Sequence, residues 1–158
     1  MYKIDGRDRV IELQGFPGGM GGAPLPLVVA NDDQVLLGYG AKAGKSEWSL
    51  VEFELPSAHY LGMPDDKALP GHPLYRRGLE RHRVCEVVDS SWIRTLERLN
   101  RASPDHLPGM FSGDRHFIFV FKDCLFECIA HDVRLVGQFA RRSALVAAVL
   151  RRAELDPR

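Results

Sequence analysis

The sequence predicts an α+β domain built on a mainly antiparallel sheet of about six to eight strands, with two principal helices packed on it. Three features carry that expectation. Short apolar stretches separated by turn residues fill the first third, residues 116–136 read as a hairpin, and two later segments repeat apolar residues at helical spacing.

Tyr2 to Ile4 and Val10 to Leu13 flank Asp5-Gly6-Arg7-Asp8, a run suited to a hairpin loop because glycine supplies positive φ. Gly15 to Pro24 holds too much glycine and proline for any regular element. Leu27 to Ala30 and Gln34 to Tyr39 form a second strand pair around Asn31-Asp32-Asp33. From Ser49 to Leu55, Leu50, Glu52 and Glu54 alternate with Val51, Phe53 and Leu55, the pattern of a half-exposed antiparallel strand.

Residues 56–82 lack periodicity and carry Pro64, Pro70, Gly71 and Pro73, which predicts a long ordered loop of the sort that often carries function. Arg83 to Val88 reads as a strand. A helix follows from Ser90 or Ser91 to about Arg101, capped by Asp89 or a serine, with Trp92, Ile93, Leu96 and Leu99 as its apolar stripe.

In His116 to Lys122, Phe117, Phe119 and Phe121 take one face and Ile118 and Val120 the other. Both faces are therefore covered, by a helix or by the glycine-rich loop. Leu125 to Val136 completes the hairpin, with Asp123-Cys124 at its turn. A last helix, from about Gln138 to Glu154, packs Phe139, Val146, Val149, Leu150 and Ala153 on the sheet.

At 158 residues, read as one domain over 1–158, the chain buries roughly 70% of its unfolded surface and needs neither metal nor disulfide to fold. Lysine plus arginine and aspartate plus glutamate both number 21, so the basic excess of a protein that grips phosphates is missing, and nucleic acid is disfavoured as a partner. The three cysteines leave at least one unpaired, no basic-then-apolar leader opens the chain, and no apolar run approaches the roughly 20 residues that cross a bilayer. These features predict a reducing cytoplasm and no membrane.

Gly44-Lys45-Ser46 has the end of a phosphate-cradling loop, but Tyr39 stands where the first glycine belongs and a strand follows instead of a helix. The Gly15 to Gly22 run lacks the strand-to-helix setting of a dinucleotide site, because Pro24 and Pro26 follow it. Cys124 and Cys128, four apart on a strand, stand roughly 13 Å apart, too far to share a zinc ion, and read as structural thiols.

With Asp123-Cys124 as the turn, His116 lies opposite His131 and Val120 opposite Glu127, which places two imidazoles and a carboxylate on one face. His72, Tyr75, Arg76 and Arg77 in the long loop combine the imidazole, aromatic and guanidinium groups common at binding surfaces.

Two stretches, Gly71-His72-Pro73-Leu74-Tyr75 through Ser90-Ser91-Trp92-Ile93, and His116 to Phe121 through Phe126-Glu127-Cys128-Ile129-Ala130, resemble a set of small bacterial proteins sharing that pattern. The resemblance covers roughly residues 70–135. It implies a bacterial origin and one domain, and it carries no activity onto these positions.

The functional expectation is a protein that binds a macromolecular partner, most simply another protein, as an immunity or accessory protein does; a homodimer is left open. No cofactor and no metal ligand set is expected. The alternative is a metal-assisted or acid–base enzyme using His116, His131 and Glu127, with His72 joining from the loop.

Overall fold

Alternating side chains build seven strands: β1 (Arg9–Glu12), β2 (Leu27–Ala30), β3 (Gln34–Ala43), β4 (Ser46–Gly62), β5 (Val84–Val88), β6 (Arg115–Val120) and β7 (Leu125–Phe139). In the computed structural model, which describes residues 3–22, 24–43 and 46–153, they form one antiparallel sheet in the order β1-β5-β6-β7-β4-β3-β2. Two helices, α1 (Ser91–Asn100) and α2 (Arg142–Arg152), complete the α+β architecture. No helix among the described residues is long and apolar enough to cross a membrane.

The sheet curls. Tyr39 on β3 and Phe119 on β6 have ring centroids 5.7 Å apart although β4 and β7 lie between them. In a flat sheet those two strands stand about 14 Å apart and their side chains run parallel. Register shifts in the β4–β7 pair, at Leu50/Val51 and Pro56/Ala58, supply the bulges that bend the ribbon.

Phe53, Phe117, Phe119, Phe126 and Tyr39 fill the concave face with edge-on and tilted ring contacts. The glycine-rich segment closes over it. Phe16 meets Phe119 edge-on at 6.1 Å, the Tyr39 hydroxyl donates to the Pro17 carbonyl at 2.7 Å, and Met20 N–H donates to the Gly40 carbonyl at 2.9 Å. Glycine is required for this fit: a Cβ on Gly18 would lie 2.3 Å from the His82 carbonyl oxygen, and one on Gly19 would lie 2.8 Å from the Phe121 ring.

The convex face is covered in two halves. Leu145 and Val149 of α2 rest on Leu36 and Leu50, while Leu69, Leu74 and Leu79 from the segment between β4 and β5 rest on Cys85, Val87, Ile118 and Val120. β6 is therefore buried on both sides, by the glycine-rich loop and by the 69–79 segment, and by a helix on neither of its main apolar surfaces.

Several sequence expectations change. The 5–8 turn closes no hairpin and residues 3 and 4 form no strand; β1 instead pairs with β5, from Arg9 opposite Val88 to Glu12 opposite Cys85. The buried Asp8 carboxylate explains this, because it accepts the N–H of Asp5 at 3.0 Å and of Ser91 at 2.7 Å and folds the segment toward α1. Tyr2 lies outside the described residues.

β4 runs far beyond Leu55, and its Leu50/Glu52 face is buried beside α2, where Arg134 and Arg152 pair with Glu52. The loop that follows shrinks to residues 63–83 and contains two 3₁₀ turns, Leu69–Gly71 and Tyr75–Arg77. α2 starts later than expected because Gln138 and Phe139 still pair with Ser49 and Trp48. Its core face is Leu145 and Val149, leaving Leu150 exposed; Leu99 of α1 is exposed as well. Gly44 and Lys45 lie outside the described residues, and Ser46 opens a strand rather than a helix.

Candidate functional site

The β6–β7 turn is Lys122-Asp123, since Phe121 N–H donates to the Cys124 carbonyl at 2.9 Å. Moving the turn by one residue shifts the partner of every β6 position by two. His116 stands opposite Ile129 and Ile118 opposite Glu127, so His116 and His131 are not paired. His131 lies at the hairpin mouth with its side chain half exposed, 3.2 Å from Asp114. An even shift preserves the faces, however, so His116 and Glu127 stay on one side of the sheet and become diagonal neighbours.

His116 Nε2 is 2.9 Å from Glu127 Oε2, and His72 Nε2 reaches Glu127 Oε1 from the 69–79 segment over 3.4 Å. His116 Nδ1 is 2.9 Å from Ser90 Oγ, and Trp92 stands edge-on to the imidazole at 5.3 Å. The order is thus Ser90, His116, Glu127, His72, drawn from the α1 cap, β6, β7 and the loop. The side chains of His72, His116 and Glu127 are buried.

The neighbouring hydrogen bonds assign the tautomers. Leu74 N–H donates to His72 Nδ1 at 3.2 Å, so the proton of neutral His72 is on Nε2 and points to Glu127. Ser90 Oγ caps α1 by accepting the N–H groups of Trp92 and Ile93, which leaves its own proton for His116 Nδ1. His116 Nε2–H then donates to Glu127. A buried carboxylate held this way is tolerated because N–H donors converge on it.

This arrangement restricts the chemistry. In its assigned tautomer His72 Nε2 has no lone pair to offer a metal ion, and no group of three His, Cys, Asp or Glu among the described residues is arranged to hold one. Burial pushes the Cys85 thiol up to about 11 and raises Cys128 and Cys124 as well, so none of the three is primed as a thiolate nucleophile.

The chain of polar groups does join two surface features. His72 borders an apolar depression of about 360 Å³ shaped by Tyr60, Met63, Pro64 and Pro73, and Ser90 borders a polar cleft of about 400 Å³ walled by Arg7, Glu86, Asp114 and Arg115.

The other loop candidates separate from His72. Leu69, Leu74 and Leu79 point inward with it, while Tyr75, Arg76 and Arg77 face solvent, Tyr75 at 40% exposure. Arg77 donates to the Gly6 carbonyl at 3.1 Å, and Gly78 at φ 106° turns the chain back to the core. Sequence reasoning offered Ser90 only as one of the candidate caps. Its bond to His116 has no local signal, because it depends on where the β5–α1 junction meets β6.

The chain matches no family profile, no curated protein and no solved structure.

Proposed function

We propose that this chain acts by binding an acidic protein partner in the cytoplasm, as an accessory or immunity protein would, through the outward face of residues 73–77. The observation that carries the reading is the split orientation of that segment. His72 and Leu74 are buried while Tyr75, Arg76 and Arg77 are exposed, so the contact residues stand on a backbone already held in place. A preordered surface loses less entropy on association, and tyrosine with arginine is the composition of binding hot spots. Arg76 and Arg77 have no carboxylate within ion-pair distance among the described residues, which favours a partner that brings acidic groups.

The test begins with capture of partners on the tagged full-length chain from its source cells, identified by mass spectrometry. Tyr75→Ala and Arg76→Ala are then titrated against the captured protein. Each is expected to weaken binding by more than about 1 kcal/mol while leaving thermal unfolding unchanged. Unchanged affinity in both variants removes this surface from the proposal.

A second reading rests on the Ser90–His116–Glu127 order beside the polar cleft, which has the sequence of groups used to activate a hydroxyl. Against it, Ser90 Oγ already accepts two helix amides and His116 is buried. Treatment with a fluorophosphonate separates the two: labelling at Ser90 supports the enzyme, and an unlabelled folded protein counts against it.

A further inference from the structure

We propose that the groove between the N-terminal segment and α1 binds a small phosphorylated molecule. Along α1 and its C-cap, Ser91, Arg94, Arg98 and Arg101 recur every three or four residues and so lie on one stripe. Lys3 and Arg7 form the facing wall of a groove of about 420 Å³, a volume in the range of small-molecule sites. The wall is fixed by Asp8, whose carboxylate accepts the Ser91 N–H at 2.7 Å.

The charges in the groove are not balanced. Asp5 pairs with Arg7 at 3.1 Å and with Arg94 at 2.7 Å, whereas Lys3, Arg98 and Arg101 have no carboxylate within ion-pair distance among the described residues. Arg98 donates instead to the Thr95 hydroxyl at 3.2 Å. Independently of these cations, Ser91, only 4% exposed, borders the groove, and its buried hydroxyl has no hydrogen-bond partner among the described residues. Burying such a group is unfavourable until something bonds to it.

Guanidinium forks together with a hydroxyl suit the several acceptor oxygens of a phosphate. Arg94, Arg98 and Arg101 follow one another at about 4.5–6 Å along the helix, so neighbouring guanidiniums can share one phosphate or grip two linked ones. The zero net charge of the chain gives an extended polyanion no general attraction, so the positive potential is local to this concave site.

The test is a calorimetric titration of the full chain with pyrophosphate, with sodium chloride adjusted to hold ionic strength constant. Saturable binding at one site is expected. Arg98→Ala/Arg101→Ala should lower the affinity at least tenfold, with unfolding in chloride unchanged because both side chains are exposed. Ser91→Ala should lower it as well, while Tyr75→Ala should not, which keeps this result separate from the protein-binding surface. Absence of saturable binding, or equal affinity in the double-arginine variant, overturns the proposal. So does binding of a single-stranded oligonucleotide or an acidic peptide in this groove when pyrophosphate does not bind.

Discussion

His116 and Glu127 meet on the diagonal of the β6–β7 pair, Nε2 to Oε2 at 2.9 Å, with each standing directly opposite an isoleucine. That contact lets one carboxylate receive a strand imidazole and, through its other oxygen, the imidazole of His72 from the loop. Glu127 is thus a buried polar point at which the loop is fastened to the sheet, beside the apolar contacts of Leu69, Leu74 and Leu79.

Replacing Glu127 should therefore destabilise the fold. Glu127→Ala leaves the two imidazoles buried without their acceptor and is expected to cost about 3 kcal/mol. Glu127→Gln keeps the shape but turns an amide N–H₂ toward an imidazole N–H, and should cost about 1–3 kcal/mol. Urea unfolding measures both. A Gln variant within about 0.5 kcal/mol of the parent would mean that the network does not hold the loop.

Gly18 tests the order of the glycine-rich segment. A Cβ there would lie 2.3 Å from the His82 carbonyl, a backbone atom that cannot swing aside. Gly18→Ala should cost about 1–3 kcal/mol, whereas Gly21→Ala, with open space around its Cβ, should change stability by less than about 0.5 kcal/mol. Equal thermal midpoints for the two variants would show that the segment does not close on the core.

The thiols should be slow to react. Burial raises Cys85 to about 11 and lifts Cys128 further, while Cys124 is raised by burial and then by the neighbouring Asp123. At pH 8 a disulfide reagent should modify Cys124 slowly and the other two only after denaturation. Rapid native labelling of Cys128 would contradict its place in the core.

Glu52 links stability to acid. Burial pushes its carboxyl up, but hydrogen bonds from Arg152 and Arg134 outweigh that and hold it below the ordinary value. Because the folded-state pKa is the lower one, the unfolded chain takes up the proton first. The stabilisation is complete above the unfolded value of about 4.3 and is lost as pH falls through the folded value. Glu52→Gln should flatten the fall in stability below about pH 4.3, read from urea midpoints taken between pH 6 and pH 2.5. Parallel curves for variant and parent would remove the clamp between α2 and β4 from this account.

Local periodicity made much of the fold legible. The phenylalanine alternation in 117–121 marked β6 as a strand buried on both faces, and Asp89-Ser90-Ser91 ahead of Trp92-Ile93 marked the start of α1, whose cap the structure gives to Ser90. It also placed His116 and Glu127 on one face, because an error of one residue in the turn moves every partner by an even number. His131 was misplaced by the same error, which the strand pattern alone could not detect.

By itself the sequence determined the α+β class, the hairpin of β6 and β7 and the start of α1 to within a residue or two, since each depends on residues a few positions apart. Only the tertiary structure decided that β1 pairs with β5, that the sheet curls until Tyr39 reaches Phe119, and that His72 meets Glu127 across 55 residues of chain. The physical reason is that dihedral preference and periodicity act over a few residues. Contacts between distant segments depend on turn register and on which buried polar groups find partners once the core has closed.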